Sequence, residues 1–519
     1  MKRFLIIPII LAFQLKAFAQ PDKLSMLKTK MEGIDSLIER IMLEWKVAGL
    51  SVAVVYKDQL LYAKGFGYRD VEQRLPVTVN TVFPIASCTK AFTSMLVGMA
   101  VDKKLLNINK PAHDYFPELE FYTPELTRMV TAKDMMTHRT GLPRHDWMTH
   151  GLNFLPTDSV IHRIRFLEPS KGIREEVQYN NLMYVSLGEL TRKVTGKDWA
   201  DQLNEFIFRP LEMSSSTPAY RDLTTAKEFT KGYSVRNDSF ISRTPSTEGP
   251  NAAGSINSNV IDLSHWLMAW IDGGKYKGNQ VLPASFVREA STPQMSTPSR
   301  PNPNVPAYPD AYFGDMGYGW ITDSYRGHYH VQHSGDLPLF SSNTAFFPTD
   351  SIGIVVLVNK FNATVPELIS SHIADRLLDL PYKDWTGLLQ ALQQRRATNG
   401  NSAPTPKDTA TPVMNLPLIE YAGIYHHPGY GTIHITFAEG KLMATHNGQF
   451  FSFTPKGGNE FKANVPGGAL TAILSTRKKD VTAFKRSKRR WILIFIVMMF
   501  LSPCLEVESL FLSAGAYGM

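Results

Sequence analysis

The sequence predicts an α+β fold: an antiparallel sheet closed by segments from both ends of a large first unit, flanked by helices inserted between them, and then a small all-β unit. Three observations lead there. Strand-like runs stand at Leu50–Tyr56 and Leu60–Gly67, and again at Tyr329–Gln332, Thr344–Phe347 and Ile352–Val358. Helical patterns fill the chain between the two groups. Beyond a stretch rich in Thr, Ser and Pro at 396–415, residues 421–476 alternate apolar and polar between glycine-containing turns, the pattern of a small barrel or curled sheet.

The chain has 519 residues, enough for two or three folding units. Lys2 and Arg3, the apolar run Phe4–Phe13 and Ala17-Phe18-Ala19 form a basic region, a short apolar region and a small-residue cleavage site. Residues 1–19 are therefore expected to be an export signal, and the protein to be periplasmic or extracellular. Residues 24–46 predict a helix with Ile34, Leu37, Ile38, Ile41, Met42 and Trp45 on one stripe. Lys57-Asp58-Gln59 is the turn between the first two strands. Ser87 opens a helix whose apolar face is Phe92, Met95, Leu96 and Met99. Thr131 and Asp134 have capping-box spacing. Leu182–Val194 reads as a helix closed by Gly196. Residues 295–309, rich in Pro, Ser and Asn, read as a long surface loop, and Pro366–Leu378 as a helix returning over the last strands. This divides the chain into a first unit at 24–385, a linker at 396–415, a β unit at 416–476 and a tail at 477–519.

Composition narrows the function. Forty-three per cent apolar and 20 per cent charged residues are ordinary for a packed protein. The net charge of +8 resides in the ends: Lys2, Arg3 and Lys16 in the leader, and a net seven positive charges in Arg477–Arg490, less Glu506 and Glu508. Residues 20–476 carry no net charge, so there is no footprint for nucleic acid. In the tail, the basic run precedes eleven apolar residues, Trp491–Leu501, short of the ~20 that span a bilayer. Membrane contact through this tail, a buried strand pair, and a terminus altered by a reading-frame error are the alternatives. The two cysteines, Cys88 and Cys504, are far apart, so stability is expected from a large core rather than a disulfide.

Three short motifs carry chemistry. In Ser87-Cys88-Thr89-Lys90, residues three apart share a helix face, so Lys90 can reach the Ser87 hydroxyl. A serine needs a base to become a nucleophile, and a lysine serves only if desolvation or nearby cations strip its proton. Tyr179-Asn180-Asn181 stands just before the Leu182 helix. A tyrosine near a lysine can shuttle protons, and Asn181 can donate to a substrate carbonyl. His333-Ser334-Gly335-Asp336 stands at the end of a strand, where Gly335 permits close approach to the backbone. Backbone N–H groups of Ser87 and Asp336 would then form an oxyanion hole. Each motif alone is more often structural: a solvated helix turn, a buried tyrosine, a strand-end histidine. Cys88 reads as a packing residue.

Ser-x-x-Lys, Tyr-x-Asn and His-x-Gly in that order resemble the serine β-lactamase and penicillin-binding protein superfamily, in its class C β-lactamase-like branch. Phe83-Pro84-Ile85-Ala86, the run Asp134–Leu142, Val194-Thr195-Gly196, Pro210-Leu211, Ala253-Gly254-Ser255-Ile256 and Gly317-Tyr318-Gly319-Trp320 are similar too, over about residues 30–380. The piece beginning Tyr421-Ala422-Gly423-Ile424-Tyr425 resembles an appended lipocalin-like domain. The resemblance implies acylation of Ser87 by an amide or ester substrate, with Lys90 and Tyr179 moving the proton and Asn181, His333, Gly335 and Asp336 around the substrate. It implies no metal and no organic cofactor. One departure matters: many relatives have Lys-Thr-Gly where this chain has His333-Ser334-Gly335, and that lysine is thought to pair with a substrate carboxylate. The substrate class therefore stays open among β-lactam, D-amino-acid peptide and ester. The rival readings are a binding protein that holds a cell-wall fragment without turnover, and a metal hydrolase built on His328, His330 and His333.

Overall fold

The computed structural model describes residues 23–145, 148, 156–243, 251–297, 314–361, 364–388, 390–391, 412–446, 449–465, 468–474 and 490–491. The expected leader, most of the linker, nearly all of the tail and residues 298–309 of the expected loop lie outside the described residues.

The first unit is organised on a nine-stranded sheet. Its strands in chain order are β1 (Gly49–Tyr56), β2 (Gln59–Asp70), β3 (Leu75–Pro76), β4 (Met295–Thr297), β5 (Gly314–Met316), β6 (Ile321–Tyr325), β7 (His328–Leu337), β8 (Phe340–Phe347) and β9 (Ile352–Val358). In space the order is β4-β5-β6-β7-β8-β9-β1-β2-β3. The antiparallel pairing of β1 with β9, Leu50 opposite Val358, closes the sheet between the two ends of the unit. β1 and β9 are continuous apolar runs because both sheet faces are covered. Ala53, Val55, Val355 and Leu357 enter the core under the helical insertion. Leu50, Val52, Val54, Ile354, Val356 and Val358 enter a second core under α1 (Ile34–Trp45) and α6 (Thr364–Leu377). The two-residue period of a strand sorts these neighbours onto opposite faces.

The helices that position the site are α2 (Thr89–Asp102), α3 (Ala132–Met136), α4 (Asn181–Thr195) and α5 (Val260–Ile271). Thr131 and Asp134 form the expected capping box, and Gly196, at φ 71°, closes α4 as expected. The helix expected at 24–46 is broken into Lys23–Lys30 and α1, because Gly33 adopts φ 74° between them. Residues 295–297, expected in a surface loop, form edge strand β4 instead, since backbone pairing with β5 needs no apolar side chains. α5 escapes a search for amphipathic stripes because it is buried nearly all round, with Trp266 stacked 4.0 Å from Phe92.

The C-terminal sheet has seven strands: β10 (Gly423–His427), β11 (Gly431–Ala438), β12 (Lys441–His446), β13 (Gln449–Gly457), β14 (Glu460–Val465), β15 (Gly468–Ile473) and β16 (Arg490–Trp491). The first six form an antiparallel meander, and β16 adds in parallel to β10. Its own core holds Tyr421, Tyr425, Leu442, Phe451, Phe453 and Phe461. Among the described residues, no helix is long and apolar enough to cross a membrane.

Candidate active site

Ser87 lies in a 3-10 turn, Ala86–Cys88, and α2 begins two residues later at Thr89. Ala86, just before it, adopts φ 47°, a strained conformation for a residue with a Cβ. The strain is held by the surroundings: Ile85 N–H donates to the Ile256 carbonyl, and the Ser342 hydroxyl donates to the Ile85 carbonyl at 2.7 Å. Ser87 and Lys90 are buried, Lys90 completely. Lys90 Nζ donates to Ser87 Oγ at 2.8 Å and to the Ala253 carbonyl at 2.8 Å. Burial removes the water that stabilises an ammonium, which is the condition for a lysine to accept a proton.

Tyr179 closes the other side. Its ring centre lies 4.9 Å from Lys90 Nζ. Asn180 caps α4, accepting from Leu182 N–H at 2.8 Å and donating from Nδ2 to the Pro143 carbonyl at 2.6 Å. These bonds fix the Tyr179 backbone at the helix entrance, and Asn181, the first residue of α4, is buried beside it. Tyr184, one turn into α4, differs from Tyr179: its hydroxyl donates to the Met136 carbonyl and burial pushes its phenol well up, so it stays neutral.

β7 brings the third motif. His333, Ser334, Gly335 and Asp336 lie inside this strand, not at its end as expected, because the β8 ladder continues to Leu337 opposite Phe340. The His333 ring centre is 6.2 Å from that of Tyr179. His333 Nδ1 is 2.5 Å from the Ser334 carbonyl, which makes Nδ1 the protonated nitrogen. Gly335 presses against the nucleophile turn: a Cβ there would lie 2.3 Å from Ile85 O and 2.8 Å from Ser87 N. The glycine thus admits the turn of Ser87. Asp336 is half-buried and accepts from the Ser341 hydroxyl.

Three further residues border the site to which the sequence reading gave no role there; His138 and Ala253 stood only in runs quoted for the resemblance. His138 is buried, its ring centre 4.2 Å from that of Tyr179 and tilted 34° to it, and it accepts from Asn180 N–H at Nδ1. Burial, reinforced by Lys90, His333 and Arg144, holds it far below the usual histidine range, so it is neutral. The Arg144 guanidinium lies 4.9 Å from the Tyr179 ring centre. The Ala253 carbonyl is an acceptor that no side-chain pattern can reveal. Burial pushes the Cys88 thiol up to about 11, and it donates to the His333 carbonyl, so it packs rather than attacks. His328 pairs with Asp350 and His330 with Asp323. Among the described residues, no three His, Cys, Asp or Glu side chains are grouped to hold a metal.

A family model described as Beta-lactamase matches residues 34–377. Unguisins hydrolase ungD of Aspergillus violaceofuscus is 29% identical over 451 residues, covering 77% of this chain and 76% of that relative. Protein flp of Staphylococcus aureus is 26% identical over 369 residues, covering 70% of this chain and 69% of its own. The octameric penicillin-binding protein homologue from Pyrococcus abyssi has a similar fold, with a TM-score of 0.60 at 21% identity over 85% of this chain and 96% of that one. The matched span runs from α1 to α6 and takes in the turn of Ser87, the entrance to α4 and strand β7. By that span, this chain belongs to the Beta-lactamase family.

Proposed function

We propose that this protein is an exported serine hydrolase that forms an acyl-enzyme on Ser87 and hydrolyses an amide or ester bond in a small molecule or peptide. The observation that carries this reading is the 2.8 Å contact between Lys90 Nζ, fully buried, and Ser87 Oγ, beside the Tyr179 ring. With Lys90 neutral, the same contact runs the other way: the Ser87 hydroxyl donates to the amine lone pair. Ser87 Oγ then bonds to the substrate carbonyl carbon as its proton passes to the Lys90–Tyr179 pair. Backbone N–H groups of Ser87 and Asp336 receive the oxyanion. The proton moves on to the leaving amine or alcohol as its bond to carbon breaks. Water adds to the acyl carbon, giving a proton to the same pair; the bond from that carbon to Ser87 Oγ then breaks, the proton returns to Oγ, and the acid product leaves. No metal or organic cofactor is needed.

Two features favour an ester or a D-amino-acid peptide over a substrate held by its carboxylate. His333 stands where a lysine would supply a fixed cation, and its Nδ1–H is directed to the Ser334 carbonyl. A relative in the family is named as a hydrolase of unguisins rather than of β-lactams. Export rests on the leader pattern at 1–19.

The test is the intact mass of the folded protein after a fluorophosphonate, with peptide mapping, and in parallel turnover of a p-nitrophenyl ester and a chromogenic cephalosporin. A single adduct on Ser87, absent from Ser87→Ala, with turnover in that variant reduced at least ~1,000-fold, is expected. A Ser87 left unmodified in folded protein would replace this reading with that of a binding protein. Fast cephalosporin turnover would instead make a β-lactam the substrate class.

A further inference from the structure

The C-terminal sheet sends one side chain into the core of the other unit. Tyr430 follows β10 in the short connection 428–430, yet it packs in the core under the helical insertion and not in the core of its own sheet. Only 5% of its surface is exposed. The connection is shaped for this placement. His427 Nδ1 accepts from the N–H groups of Gly429 and Tyr430, at 3.0 and 3.2 Å, and His446 Nε2 lies 2.8 Å from the Tyr430 carbonyl. Arg163 donates to the Gly429 carbonyl at 3.1 Å. A Cβ on Gly429 would lie 2.9 Å from Leu167 Cδ2, so the glycine permits the close approach.

At the far end, the Tyr430 hydroxyl lies 2.5 Å from His145 Nδ1. His145 is joined to Arg144, whose guanidinium lies against Tyr179, and to Pro143 beyond, whose carbonyl accepts from Asn180. The segment 143–145 is thus held on one side by the Tyr179–Asn180 connection and on the other by a residue from the C-terminal sheet. Position on this segment is transmitted to Tyr179 within three residues and two hydrogen bonds.

We infer that Tyr430 is a positioning residue of the active site, through which the C-terminal unit sets the placement of Arg144 and Tyr179 and hence the rate of proton transfer at Ser87. The inference rests on the reading of Ser87 and Tyr179 as reacting groups. Its effect is expected on kcat, since small displacements of a reacting group act on the chemical step.

The experiment uses the full chain and a p-nitrophenyl ester. Tyr430→Phe keeps the ring and removes the hydroxyl on His145; Tyr430→Ala removes both. For Tyr430→Phe a fall in kcat of roughly 10-fold is expected, with KM and melting temperature unchanged, and a larger fall, up to about 100-fold, for Tyr430→Ala. Slower labelling of Ser87 by the fluorophosphonate should accompany both. Wild-type kcat in folded Tyr430→Phe and Tyr430→Ala would overturn the inference, as would a loss of activity that only follows the folded fraction. Turnover that survives in Ser87→Ala would instead remove the active-site reading beneath it, a result that no Tyr430 variant can mimic.

Discussion

At the scale of single residues, the site depends on contacts too close to tolerate one more methyl group. Gly335 is the clearest case, because its missing Cβ is where Ile85 O and Ser87 N come to rest. Gly335→Ala is expected to destabilise the fold by about 1–3 kcal/mol and to lower turnover at least ~100-fold, by pushing the strained Ala86–Ser87 turn off β7. Denaturant unfolding and ester kinetics on the purified variant measure both; wild-type values would mean that β7 and the turn are not in contact. The residue types were legible in the chain: Ser87, Lys90 and Tyr179 converge as their motifs imply. Arg144 and Ala253 were not, because a guanidinium in a helix-poor segment and a backbone carbonyl carry no spacing of their own.

At the scale of elements, the short run from α3 to Leu142 holds the Tyr179 entrance in place, and Asp134 is its centre. Asp134 is fully buried, caps α3 through Thr131, and accepts from Arg139 at 2.7 Å and from Arg174 at 2.8 Å. Burial alone would raise its carboxyl, but the bonds from Arg174, Arg139 and Thr131 outweigh that and hold it below the usual value. Asp134→Asn keeps the shape and removes the charge, leaving Arg139 beside an uncharged amide. We expect about 3 kcal/mol of lost stability. Displacement of His138 should also slow acylation, since His138 accepts from Asn180 N–H. A chemical denaturation midpoint equal to that of wild type would show that the network is dispensable. The capping box was readable from Thr131 and Asp134, whereas the two arginines were not, because Arg174 arrives from forty residues away.

At the scale of the whole molecule, several buried or half-buried histidines make the fold sensitive to acid. His138, His372, His427 and His446 are all held below the ordinary histidine value of 6.5, chiefly through burial, and His372 is lowered to about 4. A histidine whose folded value is depressed takes up protons first in the unfolded chain, so stability is fully present above about pH 6.5 and falls as pH drops from there towards 4. Asp262 and Asp315, raised by burial, act in the opposite sense above pH 3.8, so the histidine contribution is isolated by difference. His372→Asn should melt with a flatter pH profile between 6.5 and 4 than wild type; parallel profiles would contradict the assignment.

By itself the sequence determined the α+β class, the strands at both ends of the first unit, the cap at Thr131 and the helix end at Gly196, and the order of the three motifs around Ser87. These are local matters: hydrophobic period, caps and residues three apart on one helix turn, all carried by near neighbours in the chain. Only the tertiary structure decided that Gly335 admits the turn of Ser87, that His138 and Arg144 flank Tyr179, that α5 is buried nearly all round, and that Tyr430 crosses from one unit into the core of the other. The reason is physical. Such contacts join segments tens to hundreds of residues apart, and their strength lies in shape, burial and backbone atoms, none of which leaves a period or a spacing in the sequence.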